Sequence, residues 1–158
     1  MPEFTPIGVI HSPFKTRENT PVQPAGGAGV AGNVEVFPPY RPGLKDLEGF
    51  SHIVLLFHFH LSEGFDLHLV PFLDTELRGV FATRAPRRPN PIGLSVVRLE
   101  RIEDGMLYIR GMDMVDGTPL LDIKPYVPAF EAEDGIRTGW LETATEHAAA
   151  CRADDRFK

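Results

Sequence analysis

The sequence contains a single cysteine, Cys151, which excludes an internal disulfide and a cysteine-based zinc site. It also lacks any apolar run long enough to span a bilayer. The longest, Ile53-Val54-Leu55-Leu56-Phe57, stops at His58. The opening residues, Met1-Pro2-Glu3-Phe4, show neither the basic start nor the apolar stretch of a secretory signal. These absences point to a cytoplasmic protein without membrane contact. Positive charge is scarce too: 16 Lys and Arg stand against 22 Asp and Glu, for a net charge of −6. This argues against a protein that binds nucleic acid over its whole surface. It does not exclude a local basic patch, because screening confines the relevant field to about 8–10 Å.

What is present suits one globular domain, residues 1–158, with 42% hydrophobic residues to build a core. Fifteen glycines and fifteen prolines punctuate short runs of Val, Ile, Leu and Phe. That composition favours many turns and short strands over long helices.

The most informative stretch is Gly79 to Ser95, GVFATRAPRRPNPIGLS. It opens like a strand over Gly79–Arg84 and then becomes a knot of arginine and proline. Pro86, Pro89 and Pro91 fix their own φ angles and restrict the residues before them, so the segment is neither helix nor central strand. A pre-shaped loop that carries Arg84, Arg87, Arg88 and Asn90 suits a polar or anionic ligand, since its ordering entropy is spent in folding. A plain surface loop with solvated charges is the alternative.

The remaining chain reads as short strands. Phe4–His11 is a strand that Ser12-Pro13 stops, and a long loop follows to Asn33. Within it Gly27-Ala28-Gly29-Val30-Ala31-Gly32 matches a dinucleotide-binding pattern, but no strand precedes it and no helix follows, so that reading is rejected. Val34–Phe37 is a strand, and Tyr40–Gly49 is a turn or short helix. Ser51–His60 is the most apolar strand. It places His52, His58 and His60 on one face, where no third ligand by spacing completes a metal site. Phe65–Asp74 is ambiguous. Gly93–Ile102 and Met106–Met112 form a hairpin through Glu103-Asp104-Gly105. A second Asp-Gly turn lies in Asp113–Thr118, Pro119–Val127 is the last strand, and Trp140–Arg152 has helical composition. About seven short strands and one helix predict an all-β fold: a small antiparallel β-barrel with long loops and a C-terminal helix. The barrel is expected over about 4–128 and the helical extension over about 140–152.

Four segments resemble the TsaA-like family of β-barrel methyltransferases: Ile7–Phe14, Leu47–His60, Gly79–Ser95 and Val115–Pro128. The resemblance implies a homodimer with a pocket for S-adenosylmethionine near the subunit interface. It implies methylation of N6 of threonylcarbamoyl-adenosine beside the anticodon of threonine tRNA. Residues carried over to the cofactor site are Pro21, Val22, Gln23, His60, Leu61, Arg84, Leu94, Asp116, Gly117, Thr118 and Pro119. The reaction needs a base or acceptor near a nitrogen whose lone pair is delocalised; Asp122 and Tyr126 are the candidates, with Lys124 as an electrostatic helper. Arg87, Arg88 and Asn90, with Arg41 and Lys45, are the candidates for contacting the tRNA. Some members carry a further C-terminal domain that assists tRNA binding; this chain stops soon after Arg152 and is expected to lack it. The alternatives are a methyltransferase for another RNA or a small molecule, and a non-catalytic sensor of the cofactor.

Overall fold

The computed structural model describes residues 2–16, 29–72 and 74–143. Pro21, Val22 and Gln23, and the expected helix beyond residue 143, lie outside the described residues. Period-two alternation decides the strands. In β3 (His52–His58), Ile53, Leu55 and Phe57 are buried and the intervening residues are not. His52 and His58 therefore sit off the core-facing side of this strand, and His60 lies in the turn beyond it.

The other strands are β1 (Gly8–His11), β2 (Ala31–Val36), the two-residue β4 (His68–Leu69) and β5 (Arg78–Gly79), β6 (Ile92–Glu103), β7 (Met106–Arg110) and β8 (Thr118–Pro125). Six of them close into an antiparallel barrel in the order β1-β2-β7-β6-β3-β8, and β4 pairs with β5 in a separate small sheet. Closure comes from β8, which pairs with β3 on one side and β1 on the other. Ile10, Val34, Val36, Ile53, Leu55, Val97, Leu107, Ile109 and Leu120 fill the interior, with Met112 and Met114 from the loop after β7.

The β6–β7 hairpin turns where the sequence placed it. Asp104 and Gly105 both take positive φ, 50° and 77°, as the two-residue hairpin turn requires. Gly8 and Gly93 are needed for a different reason: an added Cβ would strike the Glu35 carbonyl and the Phe57 ring, respectively.

The expected strand over Gly79–Arg84 is not found. After β5 the chain makes a 3-10 turn over Val80–Ala82, and the Thr83 hydroxyl donates to the Val80 carbonyl at 2.8 Å. Val80 alone is buried among the three turn residues, so the segment lacks the alternating inner face that would hold a strand. After β8 come one α-helical turn, Pro128–Glu131, and a 3-10 turn, Gly139–Thr143. The Trp140 indole donates to the Ala82 carbonyl at 2.8 Å and receives the Arg78 guanidinium on its ring. The C-terminal segment thus reaches back to the arginine-proline loop. Among the described residues no helix is long and apolar enough to cross a membrane.

Candidate functional site

Strand register sorts the loops onto two rims. His11 pairs with Asn33, Ala31 with Arg110, His58 with Ile92, and Ile10 with Thr118. The ends of β1, β7 and β3 and the starts of β2, β6 and β8 therefore share one rim. From it leave the three long connections, 12–30, 59–91 and 111–117. Loops carried by a rigid barrel are where function concentrates. This rim, called the mouth below, collects the arginine-proline loop and the Asp116–Pro119 turn, which lie far apart in sequence.

The turn is braced from several directions. The Asp116 amide donates to the Phe14 carbonyl at 2.7 Å and the Gly117 amide to the Ile10 carbonyl at 2.8 Å. The Asp116 carboxylate accepts from the Ser12 amide and from Lys15 Nζ, each at 2.9 Å, and lies 3.8 Å from His11 Nδ1. The Lys15 bond, then the Ser12 amide, hold its carboxyl below the ordinary aspartate range, so it is ionised at neutral pH. The buried Ser12 hydroxyl donates to the Met114 carbonyl at 2.6 Å, and the Thr118 hydroxyl donates to the Val115 carbonyl. Gly117 takes φ 83°, and among the described residues nothing lies within 4 Å of where its Cβ would be. Its glycine requirement is therefore conformational, and the space beside it is open to a ligand.

The arginine loop is braced largely by its own guanidinium groups. Arg87 Nε donates to the Asp66 carboxylate at 3.0 Å and Nη1 to the Glu63 carbonyl at 2.7 Å. Arg88 Nη1 donates to the carbonyls of Thr83 and Ala85 at 2.9 and 3.2 Å. Arg84, by contrast, is exposed and has no partner among the described residues. Asn90 is also exposed, and its carbonyl accepts from the Ile92 amide at 2.8 Å. Leu61 and Leu94 present apolar surface near the same rim; Leu94 is 46% exposed. His60 is half-buried, and burial, with His58 second, pushes its pKa below the ordinary histidine value.

Other candidates lie elsewhere. β8 runs away from the mouth, so Asp122 is four residues, roughly 13 Å, beyond Thr118. Asp122 pairs in the ladder with Leu56, off the core-facing side, and its carboxylate holds Lys124 Nζ at 2.9 Å. Tyr126 follows at the far end, its amide donating to the His52 carbonyl at 3.2 Å. A cavity of about 370 Å³ lies toward that end, and its lining includes Tyr40, Leu44, Lys45, Phe50, Asp122 and Ile123. Arg41 Nε donates to the Val36 carbonyl at 2.9 Å, beside the β6–β7 turn. The candidates thus divide: Leu94 and the Asp116–Pro119 turn lie at the mouth, and Leu61 and Arg84 on the 59–91 connection that leaves from it, whereas Arg41, Lys45, Asp122, Lys124 and Tyr126 lie away from it.

A carboxylate not singled out from the sequence belongs to the mouth. Asp113 accepts from the Ser95 hydroxyl at 2.9 and 3.2 Å through its two oxygens. Burial pushes its pKa up to about 7, against the opposing effect of the Ser95 bond. The sequence carried a signal for it, the repeated Asp-x-x-Asp before Gly117-Thr118-Pro119.

A closed antiparallel barrel with its long loops gathered on one rim places the chain in the class of small β-barrel domains whose sites are built from loops. The chain belongs to the tRNA-methyltransferase O N-terminal domain family, which matches residues 9–132. Among its relatives is a probable S-adenosyl-L-methionine-binding protein of Pyrococcus abyssi, 51% identical over 98% of this chain and 84% of that protein. A mouse tRNA (adenine(37)-N6)-methyltransferase is 38% identical over 83% of this chain and 32% of that protein. The crystal structure of TrmO from Pseudomonas aeruginosa superposes with a TM-score of 0.74 at 43% identity, covering 89% of this chain. The chain spans 62% of the length of that TrmO.

Proposed function

We propose that this member of a family of S-adenosylmethionine-dependent methyltransferases methylates N6 of threonylcarbamoyl-adenosine beside the anticodon of threonine tRNA. The observation that carries the reading is the convergence of the arginine loop and the Asp116–Pro119 turn on one rim of a rigid barrel. The residues there fit the methyl donor. Arg84 has an exposed guanidinium, without a partner among the described residues, for its carboxylate, and the Gly117 turn offers main-chain groups to adenine or ribose. Leu61 and Leu94 supply apolar faces for the adenine. The donor, when bound, supplies an activated methyl group on a sulfonium. The chain's task is to align the acceptor nitrogen with that methyl and exclude water.

The acceptor nitrogen needs a group to take its proton, and we assign this to Asp122, held by Lys124, with Tyr126, four residues further along the chain, as the second candidate. Facing outward along the barrel wall, they would reach a mouth through a second copy of the chain. Phe81, 76% exposed, and the exposed Phe65, Leu67 and Leu77 provide apolar area for such a homodimer. Asp122→Asn should then cut turnover while leaving cofactor affinity nearly intact, and full turnover would remove Asp122 from the mechanism.

The net charge of −6 and the internal use of Arg87 and Arg88 favour, as a second reading, a smaller methyl acceptor than tRNA. Labelled donor with threonine tRNA, bearing or lacking the threonylcarbamoyl group, decides between them. Label is expected only on the tRNA that bears the group. Donor binding with no label on either tRNA would overturn the tRNA assignment.

A further inference from the structure

Asp113 and Asp116 lie three residues apart on one loop, but only Asp116 has cations. Lys15 and His11 approach Asp116, and His11 Nε2 also bonds Glu35 at 3.1 Å. Asp113 meets the Ser95 hydroxyl, and no Lys, Arg or His pairs with it among the described residues. Ser95 points into the barrel from β6 and is 2% exposed. Met112 and Met114, on either side of Asp113, are buried in the barrel core and anchor the loop across the mouth. Asp113 itself stays half-buried, reachable from outside while the Ser95 below it is closed off. A carboxylate held between buried methionines by one hydroxyl is costly to ionise, and an arriving cation removes that cost.

The chemistry of the donor says which cation. Its tail carries an ammonium beside a carboxylate, and that end belongs with the exposed Arg84. Its sulfonium is weakly hydrated and flanked by carbon, which suits a half-buried carboxylate better than open solvent does. We propose that Asp113 is the counter-charge for the sulfonium of the methyl donor at the barrel mouth, with Ser95 as the positioning residue that aims its carboxylate. The proposal rests on the cofactor reading above and goes beyond it by naming the residue that distinguishes the charged donor from its spent, uncharged product.

Isothermal titration of the full chain with S-adenosylmethionine and with S-adenosylhomocysteine tests it. The second ligand keeps the tail and the adenosine and lacks the transferred methyl group and, with it, the sulfonium charge. Asp113→Asn preserves shape and should weaken the charged donor about tenfold while leaving the uncharged product unchanged. Ser95→Ala should shift the same ratio in the same direction by less. Equal changes for both ligands, or none, in Asp113→Asn would overturn the proposal and leave the cofactor reading standing. A wild-type chain that binds neither ligand would sink the cofactor reading itself, and this inference with it.

Discussion

Replacing Asp113 by Asn should stabilise the protein at neutral and alkaline pH and do so progressively less as pH falls. The carboxyl has a pKa of about 7 in the fold because burial disfavours its charge. In the unfolded chain it returns to about 3.8, the ordinary value. Below that value both states hold the proton and the group is neutral toward stability. As pH rises from about 4 to 7, the unfolded chain releases its proton first, and native stability falls until both states are ionised. A gap of about 3 units at ~1.4 kcal/mol each sets a ceiling of about 4 kcal/mol. Water at the mouth lowers this to roughly 2–4 kcal/mol. For a chain of this size that corresponds to roughly 5–15 °C in Tm. The asparagine carries no charge at any pH, and its amide oxygen can still accept from Ser95. Thermal melts of both proteins at matched concentration, in half-unit steps from pH 4.5 to 8.5, should show Tm curves that diverge through pH 7 and then run parallel. Any constant offset reflects the amide itself; curves parallel throughout would refute the burial argument.

Further outcomes follow from contacts described above. Gly93→Ala drives a methyl into the Phe57 ring and should cost about 1–3 kcal/mol in urea unfolding. A loss under about 0.5 kcal/mol would mean that the ring moves freely. The double variant Arg87→Ala, Arg88→Ala removes the internal bonds of the arginine loop. It should lower thermal stability and loosen cofactor binding, as well as flattening the salt dependence of tRNA binding. An unaltered salt slope would show that neither residue meets the nucleic-acid backbone. Phe81→Asp puts a charge into the exposed apolar patch and should give a monomer in light scattering, against the dimer proposed for the wild type. A variant that stays dimeric would place the interface elsewhere.

The parts of the fold that were readable from sequence rest on local rules. β3, β6 and β7 alternate cleanly, and Asp104-Gly105 is a hairpin turn by composition, so their positions could be read to within a few residues. The segment after Gly79 misled because Val80, Phe81 and Thr83 have strand propensity, whereas the fold uses Val80 to plug a small cluster with Leu69 and Ala85. The arginines illustrate a second limit. Their clustering was visible, but their partners, Asp66, the Glu63 carbonyl and the loop's own carbonyls, follow from the path of residues 59–91. The same holds for the two aspartates of the Asp-x-x-Asp repeat. One meets Lys15 and the other a buried serine, and only the turn geometry decides which.

The place of β8 in the barrel has a consequence for how the protein comes to exist. This last strand is the seam, joining Ile10 to Thr118 and Leu55 to Ile123. Until it emerges from the ribosome, β1 and β3 are bare edges and the barrel cannot close. The closed barrel is then gained late and all at once in synthesis, and a prematurely terminated chain would be an aggregation hazard rather than a partly working protein.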